Sequence, residues 1–301
     1  MPTTAPLLAA DVPWLLYRSY FALPKSISDD EGHPVNALLG TVNALVGYVE
    51  SCAQEARPRC VVACMGAEEA AYRVQLYAPY HAHREPMPIE LRWQWERAPA
   101  LLASLGWLSA SSDSLEADDV MFSYARVEQA SKGRALLMTG DRDLYGAVSE
   151  QIAVLELRKG GASGELGPAD VRERYGIEPE QVADFIALRG DPSDGLPGAP
   201  GIGAKTAAAL LRAYGTLDEL LAAARALENK VARDDVLRPR AAAALRENEA
   251  LLHSFREIAT LQLIDVKRPP DAPTTFAAGA EHARELGMRR LAERLEKLAT
   301  A

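Results

Sequence analysis

Cysteine is scarce in this 301-residue chain. Only Cys52, Cys60 and Cys64 occur, an odd number in one apolar region, so neither a disulfide framework nor a zinc site is supported. A reducing cytoplasm is the expected compartment. Long apolar runs are missing as well: no uninterrupted stretch reaches the roughly 18 residues that span a bilayer. The early run APLLAADVPWLL has no basic residue ahead of it and is broken by Asp11 and Pro13, which argues against a signal peptide. Basic residues are outnumbered, 33 Lys and Arg against 42 Asp and Glu, for a net charge of -9. Taken alone, that balance speaks against a nucleic-acid partner, because phosphate backbones call for clustered lysine and arginine. Bulk charge averages over sites, however. Acids gathered as metal ligands would be neutralised by their ions, leaving the rest of the surface free to carry basic stripes. With 48% hydrophobic and 25% charged residues, the chain has the material for one large domain or two closely packed ones.

Short apolar runs alternate with longer amphipathic ones over the first two thirds, the pattern of an α/β fold with a mostly parallel central sheet flanked by helices. Strands are predicted at Leu7 to Ala10, Cys60 to Met65, Trp107 to Ser111, Ala135 to Thr139 and Ile152 to Leu157. Helical spacing of Leu38, Leu39, Val42, Leu45, Val46 and Val49 predicts a helix over Val35 to Ala56, and another opens near Ser114 and runs through Val120 to Gln129. From Pro168 onward the pattern is helical throughout. The segment Tyr72 to Pro99, rich in aromatics, arginine and proline, reads as an exposed insertion between a strand and a helix.

The acids follow the strands. Asp11 follows the first, Glu116, Asp118 and Asp119 in SLEADD follow the third, and Asp141 and Asp143 in TGDRD follow the fourth. In a parallel sheet these positions lie along one edge, where open α/β proteins bind ligands. Six carboxylates there would repel one another unless cations sat between them, and hard oxygen ligands select Mg²⁺ or Mn²⁺. Residues 188–211 read LRGDPSDGLPGAPGIGAKTAAALL. Ala204 separates Gly203 from Lys205 and no strand precedes the loop, so this is not a nucleotide P-loop. It reads instead as helix (Val182 to Arg189), glycine-rich loop and helix (Ala204 to Tyr214). Amides at Gly203 to Lys205 face an anion, Gly201 to Thr206 grip duplex phosphates without reading sequence, and Asp191 and Asp194 are free to join the metals.

Five ordered motifs carry a resemblance: AADVPWLLYRSYFALP, YRVQLYAPYHAHREPMP, SLEADDVMFSYA, TGDRDL and GDPSDGLPGAPGIGAKTAAALL. Together they resemble the bacterial 5′-to-3′ exonuclease and flap endonuclease family, found alone or at the N-terminus of DNA polymerase I. The resemblance implies a PIN-like nuclease core over residues 1–175 with a helical arch at about 72–99. It also implies a helical region over 176–301 with a helix-three-turn-helix at about 182–214. It makes Asp11, Glu116 and Asp118 ligands of a first metal site, and Asp119, Asp141, Asp143, Asp191 and Asp194 ligands of a second, directly or through water. Arg73 and Arg84, with Asp141, would serve catalysis at the scissile phosphate. Arg18 or Tyr17 would line the strand channel, and Tyr80, His81, Gly201, Gly203, Ala204, Lys205 and Thr206 would contact DNA. A potassium ion would sit on the backbone carbonyls of Leu188, Arg189, Pro197, Ala199 and Ile202.

What the resemblance implies is metal-dependent hydrolysis of DNA at a 5′ flap, nick or 5′ end, by a monomer acting as a separate polypeptide in a bacterial nucleoid, with DNA polymerase and ligase as functional neighbours. Two departures stand out. Gly66 occupies the position of a family aspartate, with Glu68 or Glu69 near enough to substitute, and restoring Gly66→Asp is expected to raise activity at low Mg²⁺. His81 stands where the family commonly has lysine, a poorer electrostatic clamp if neutral. Two rival readings remain: a catalytically weakened branched-DNA-binding protein, and a metal-dependent phosphatase for small molecules.

Overall fold

A computed structural model describes residues 5–157, 163–227 and 236–300. Six strands form one sheet in the order β3-β2-β1-β4-β5-β6. They are β1 (Leu7–Asp11), β2 (Cys60–Cys64), β3 (Leu108–Ala110), β4 (Ala135–Met138), β5 (Ile152–Leu157) and β6 (Ser163–Leu166). The first five run parallel and β6 pairs antiparallel with β5. The five predicted strands are all present within a residue or two at each end. The sixth was not foreseen, because Ser163 to Leu166 lacks β-branched residues and takes its strand form from the β5 edge.

Every residue of β1, β2 and β4 is buried. Alternation sends Leu7 and Ala9 into one hydrophobic cluster and Leu8 and Ala10 into another, so both faces of the sheet are covered. One face takes α5 (Ala117–Ala130), then α6 (Pro168–Tyr175), α7 (Val182–Arg189), α8 (Ala204–Tyr214), α9 (Leu217–Ala226), α10 (Pro239–Glu247) and α11 (Glu249–Ala259). The other takes α1 (Val12–Ala22), α2 (Asn36–Ser51) and α4 (Ile89–Ser104), joined at the end by α12 (Phe276–Glu285) and α13 (Arg289–Ala299). Residues 260–275 cross between the faces as an extended strap along α5. Gln262 N–H donates to Asp119 Oδ1 at 2.8 Å, Ile264 N–H to Ser123 Oγ at 3.0 Å, and Ala272 N–H to Arg59 O at 2.8 Å.

The segment Tyr72 to Pro99 is an exposed insertion only in part, with residues 82–86 exposed and a buried stripe on its helix. It holds α3 (Ala71–Leu76), a connector over residues 77–88 and the first two thirds of α4. Leu91, Gln94, Ala98, Leu101 and Leu102 recur at helical spacing and are buried, a stripe that the surrounding aromatics and arginines masked. Gln94 is fully buried, and its Oε1 accepts Ala37 N–H at 2.7 Å and Leu38 N–H at 3.2 Å. It thereby serves the start of α2, whose own Val35 offers no side-chain cap. That helix ends at Ser51 rather than Ala56, with a single 3-10 turn following. Helices α7 and α8 match their predicted bounds. The loop between them turns on Gly190, Gly195, Gly198 and Gly201, all with φ between 69° and 81°. Among the described residues no helix is long and apolar enough to cross a membrane.

Candidate active site

The sheet order changes direction around β1, whose neighbours are β2 and β4. A cleft of about 800 Å³ opens at the carboxyl ends of these strands, lined by Asp11, Glu116, Asp118, Asp141, Asp143 and Asp194. Carboxylates from β1, the start of α5, the turn after β4 and the α7-α8 loop therefore meet as expected. Asp11, 4% exposed, caps α1 by accepting Trp14 N–H at 2.9 Å on Oδ1, while Thr139 Oγ1 donates to Oδ2 at 2.7 Å. Burial pushes its carboxyl up to about 6 against the pull of these two donors, with Asp141 adding to the rise.

Asp118 and Asp143 accept no hydrogen bond among the described residues. Both are held well above the ordinary carboxylate range, by desolvation first and by the neighbouring charge of Asp141 next. Asp141 is raised as well, chiefly by burial, although Asp143 N–H donates to its Oδ1 at 3.0 Å. Among the described residues no cation forms an ion pair with Asp118, Asp141 or Asp143, and Arg84 and Arg189 offset the rise only in part. The cluster's oxygen-only donors and net negative charge fit a hard divalent cation. Among the described residues no three His, Cys, Asp or Glu side chains are already gathered into a metal-ligand group.

Other expected ligands are committed to protein partners. Glu116 accepts Ala70 N–H at 2.8 Å and the Tyr80 hydroxyl at 3.1 to 3.2 Å, and it meets Arg73 Nη1 at 3.0 Å. Asp119 is wholly buried outside the cleft lining, bound by Arg73 Nη2 at 2.9 Å and by Gln262 N–H. It shapes the start of α5 through a capping box with Glu116 and does not itself line the cleft. Asp191 stands outside the lining, with Arg189 Nη2 donating to Oδ2 at 2.9 Å and Ser193 N–H to Oδ1 at 2.9 Å.

The basic residues redistribute in the same way. Arg73, 4% exposed, donates Nε to Ile258 O at 3.0 Å besides pairing with Glu116 and Asp119. Burial pulls its guanidinium down and those two acids outweigh it, so it stays charged, although Nη1 makes no hydrogen bond and meets Glu116 only as an ion pair. Arg73 thus supports Glu116 while it also lines the cleft. Arg84 is half-exposed at the cleft wall, where Nη2 donates to Asp194 Oδ1 at 3.2 Å. Tyr17 lines the cleft, edge-on to Trp95 at 6.5 Å, whereas Arg18 lies outside it and stacks over Trp14 at 5.5 Å. Tyr80 and His81 line the cleft with little of either side chain exposed. Lys205 and Thr206 are exposed at the start of α8, and nothing crowds Gly201 or Gly203, so the amides there are open to an anion. Leu188 O accepts Ala199 N–H at 2.8 Å and Ala199 O accepts Ile202 N–H at 3.0 Å, each carbonyl keeping a second lone pair.

Gly66 is not a hole awaiting a carboxylate. A Cβ there would lie 2.5 Å from Ala117 N and 2.7 Å from Leu115 O, and Ala67 N–H donates to that same carbonyl at 3.0 Å. Backbone fills the place of a side chain. Glu68 and Glu69 reach the cleft lining instead, with Glu68 3.5 Å from Arg92.

A mostly parallel sheet thus carries an acid-lined switch-point cleft with a glycine-rich helix-loop-helix beside it. Residues 6–176 match the 5'-3' exonuclease N-terminal resolvase-like domain, and residues 177–274 match the 5'-3' exonuclease C-terminal SAM fold. A 5'-3' exonuclease of Mycobacterium tuberculosis is 34% identical over 306 residues, covering 95% of this chain and 93% of that protein. One from Streptomyces coelicolor is 39% identical over 71% of this chain and 73% of its own length. The thermostable DNA polymerase I of Thermus thermophilus is 33% identical over 96% of this chain, which spans 32% of that polymerase. The chain belongs to the 5'-3' exonuclease family. In fold it is similar to the T5 D15 protein co-crystallized with metal ions, at TM-score 0.66 and 14% identity over 98% of this chain and 99% of that one. The catalytic core of Rad2 in complex with DNA substrate gives TM-score 0.64 at 11% identity over 97% of this chain and 92% of that one.

Proposed function

We propose that this protein is a metal-dependent, structure-specific 5′ nuclease that hydrolyses phosphodiester bonds in DNA at a 5′ flap, nick or 5′ end. One observation carries the reading: Asp118, Asp141 and Asp143 crowd one cleft with raised carboxyls and no cationic partner within ion-pair distance. Asp11, Glu116, Asp118, Asp141, Asp143 and Asp194 would hold Mg²⁺ or Mn²⁺, with Asp191 acting through water. Such ions, when bound, supply an activated water and offset the charge of the phosphodiester. Arg84, half-exposed on the cleft wall, is the cation placed to meet a phosphate. Tyr17 and Trp95 form the wall along which the single strand would run. Gly201, Gly203, Ala204, Lys205 and Thr206 would hold the duplex by its backbone, so binding should ignore sequence and weaken with salt. Potassium on the carbonyls of Leu188, Arg189, Pro197, Ala199 and Ile202 would stiffen that loop. The protein would act as a monomer in a bacterial nucleoid, on ends that a DNA polymerase displaces and a ligase later seals.

A labelled 5′-flap duplex incubated with Mg²⁺ or Mn²⁺, beside an Asp141→Asn variant, tests this reading. Cleavage near the branch should occur and vanish in the variant. Tight binding with no cleavage in either metal would instead leave a branched-DNA-binding protein.

A further inference from the structure

His81 occupies a place that no surface histidine needs. It is 5% exposed, and it is one of two non-glycine residues among those described with positive φ, at 54°. Its ring lies against Tyr80, with centroids 3.7 Å apart and planes 23° from parallel. Nε2 stands 3.1 Å from Asp194 Oδ1, and the His81 backbone N–H donates to Asp194 O at 3.1 Å. Nε2 thus pairs with the Asp194 carboxylate, and Nδ1 is buried with no hydrogen-bond partner among the described residues. The neighbouring Tyr80 hydroxyl meanwhile holds both oxygens of Glu116. Two consecutive residues of the connector thus grip one acid from α5 and one from the α7-α8 loop.

The approach is close by construction. A Cβ on Gly195 would lie 2.9 Å from Pro79 O, so the loop can reach the connector only with glycine there. Arg84 Nη2 reaches the same Asp194 oxygen as His81 does, and no donor among the described residues reaches Oδ2. Asp194 is therefore pinned through one oxygen with the other left free at the cleft wall.

We propose that His81 is a positioning residue that acts through Asp194. It fixes the orientation of that carboxylate, and with Tyr80 it sets the distance between the acids of α5 and those of the loop that grips DNA. It makes no contact with phosphate. This role rests on the nuclease reading above, in which Asp194 serves a divalent cation. Left-handed backbone is unfavourable for any residue but glycine. Two bonds to one acid explain why it persists here.

The test combines Mn²⁺ binding to the DNA-free protein, read by electron paramagnetic resonance, with kcat and KM on a 5′-flap duplex. The proteins are wild type, H81A, H81Q, D194N and H81A/D194N. H81A should weaken Mn²⁺ binding and lower kcat by about tenfold or more, the usual effect of losing a partner of a metal ligand, with KM little changed. H81Q, whose amide can donate to Asp194, should recover part of both, and it keeps the test usable should H81A fold poorly. In the D194N background H81A should add nothing. A loss equally large in that background, or one confined to KM with Mn²⁺ affinity intact, overturns the positioning role and makes His81 a phosphate contact. Wild-type protein that neither binds Mn²⁺ nor cleaves overturns the nuclease reading itself.

Discussion

Helix α5 carries desolvated acids at both ends, Glu128 buried and Asp118 partly buried, and they live in opposite electrostatic states. Near its C-terminus Glu128, with 1% of its side chain exposed, faces Arg59 and Arg268. Arg268 donates from Nε and Nη2 at 2.9 Å, and Arg59 donates from Nε at 3.1 Å. Burial pushes the Glu128 carboxyl up, yet the two guanidiniums outweigh it and hold it below its ordinary range. At the N-terminus Asp118, with Asp141 and Asp143 across the cleft, is pushed the other way, by desolvation first and then by the like charge of its neighbours. The first cluster is closed and structural: it pins the strap of residues 260–275 to the sheet. The second is open by one or more positive charges. Burial alone does not mark a functional carboxylate; burial without a cation does.

The sharpest way to separate the two is to neutralise one acid of each. Glu128→Gln should cost about 3 kcal/mol, because it leaves two guanidiniums facing a neutral amide, while cleavage per folded molecule is retained. Chemical denaturation and a flap assay on the same sample check both halves.

Acidity should separate them next. Asp11 has its folded value raised to about 6, so its contribution to stability is complete below its ordinary value of 3.8 and lost as pH rises through 6. Glu128 is depressed, so its contribution is present above its ordinary value and lost as pH falls through the lower folded one. The metal-free melting temperature should therefore have a maximum on the acid side of neutrality. Mg²⁺ should raise it more at pH 8 than at pH 5, where protons compete for the carboxylates. A rise independent of pH would place the ion elsewhere.

Gly66→Asp probes the packing between β2 and α5. It should destabilise the protein by about 1 to 3 kcal/mol without tightening Mg²⁺, because the new Cβ meets the backbone at Ala117. Tighter Mg²⁺ binding, measured by calorimetry, would show that the backbone yields. The smallest effect should come from Lys205→Ala, which removes one phosphate contact and lowers the slope of log affinity against log salt by about 1.

Much of this was legible in the sequence. Period and punctuation located five strands and both helices around the glycine-rich loop, and the placement of Asp11, Glu116, Asp118, Asp141 and Asp143 after strands located the cleft. What stayed hidden depends on distant partners. Asp119 looks like Asp118 until the strap residue Gln262 is seen to bind it. Arg73 and Tyr80 sit in a motif that promises substrate contact, yet both turn inward to Glu116. Gln94 is polar in sequence and core in the fold, since the amides it serves belong to a helix more than fifty residues earlier. Gly66 reads as a missing carboxylate when aligned to a motif and as a packing requirement once residues 115–117 lie against it.

The melting temperature of wild type and Asp141→Asn, measured in EDTA and again in saturating Mg²⁺, tests the nature of the open cluster most directly. Removing one of several uncompensated charges should make Asp141→Asn the more stable protein in EDTA. Adding Mg²⁺ should reverse the order, because only the wild type gains from the ion. An Asp141→Asn protein less stable than wild type in EDTA would mean that the cluster already holds its compensating charge, and would contradict its assignment as a site for divalent cations.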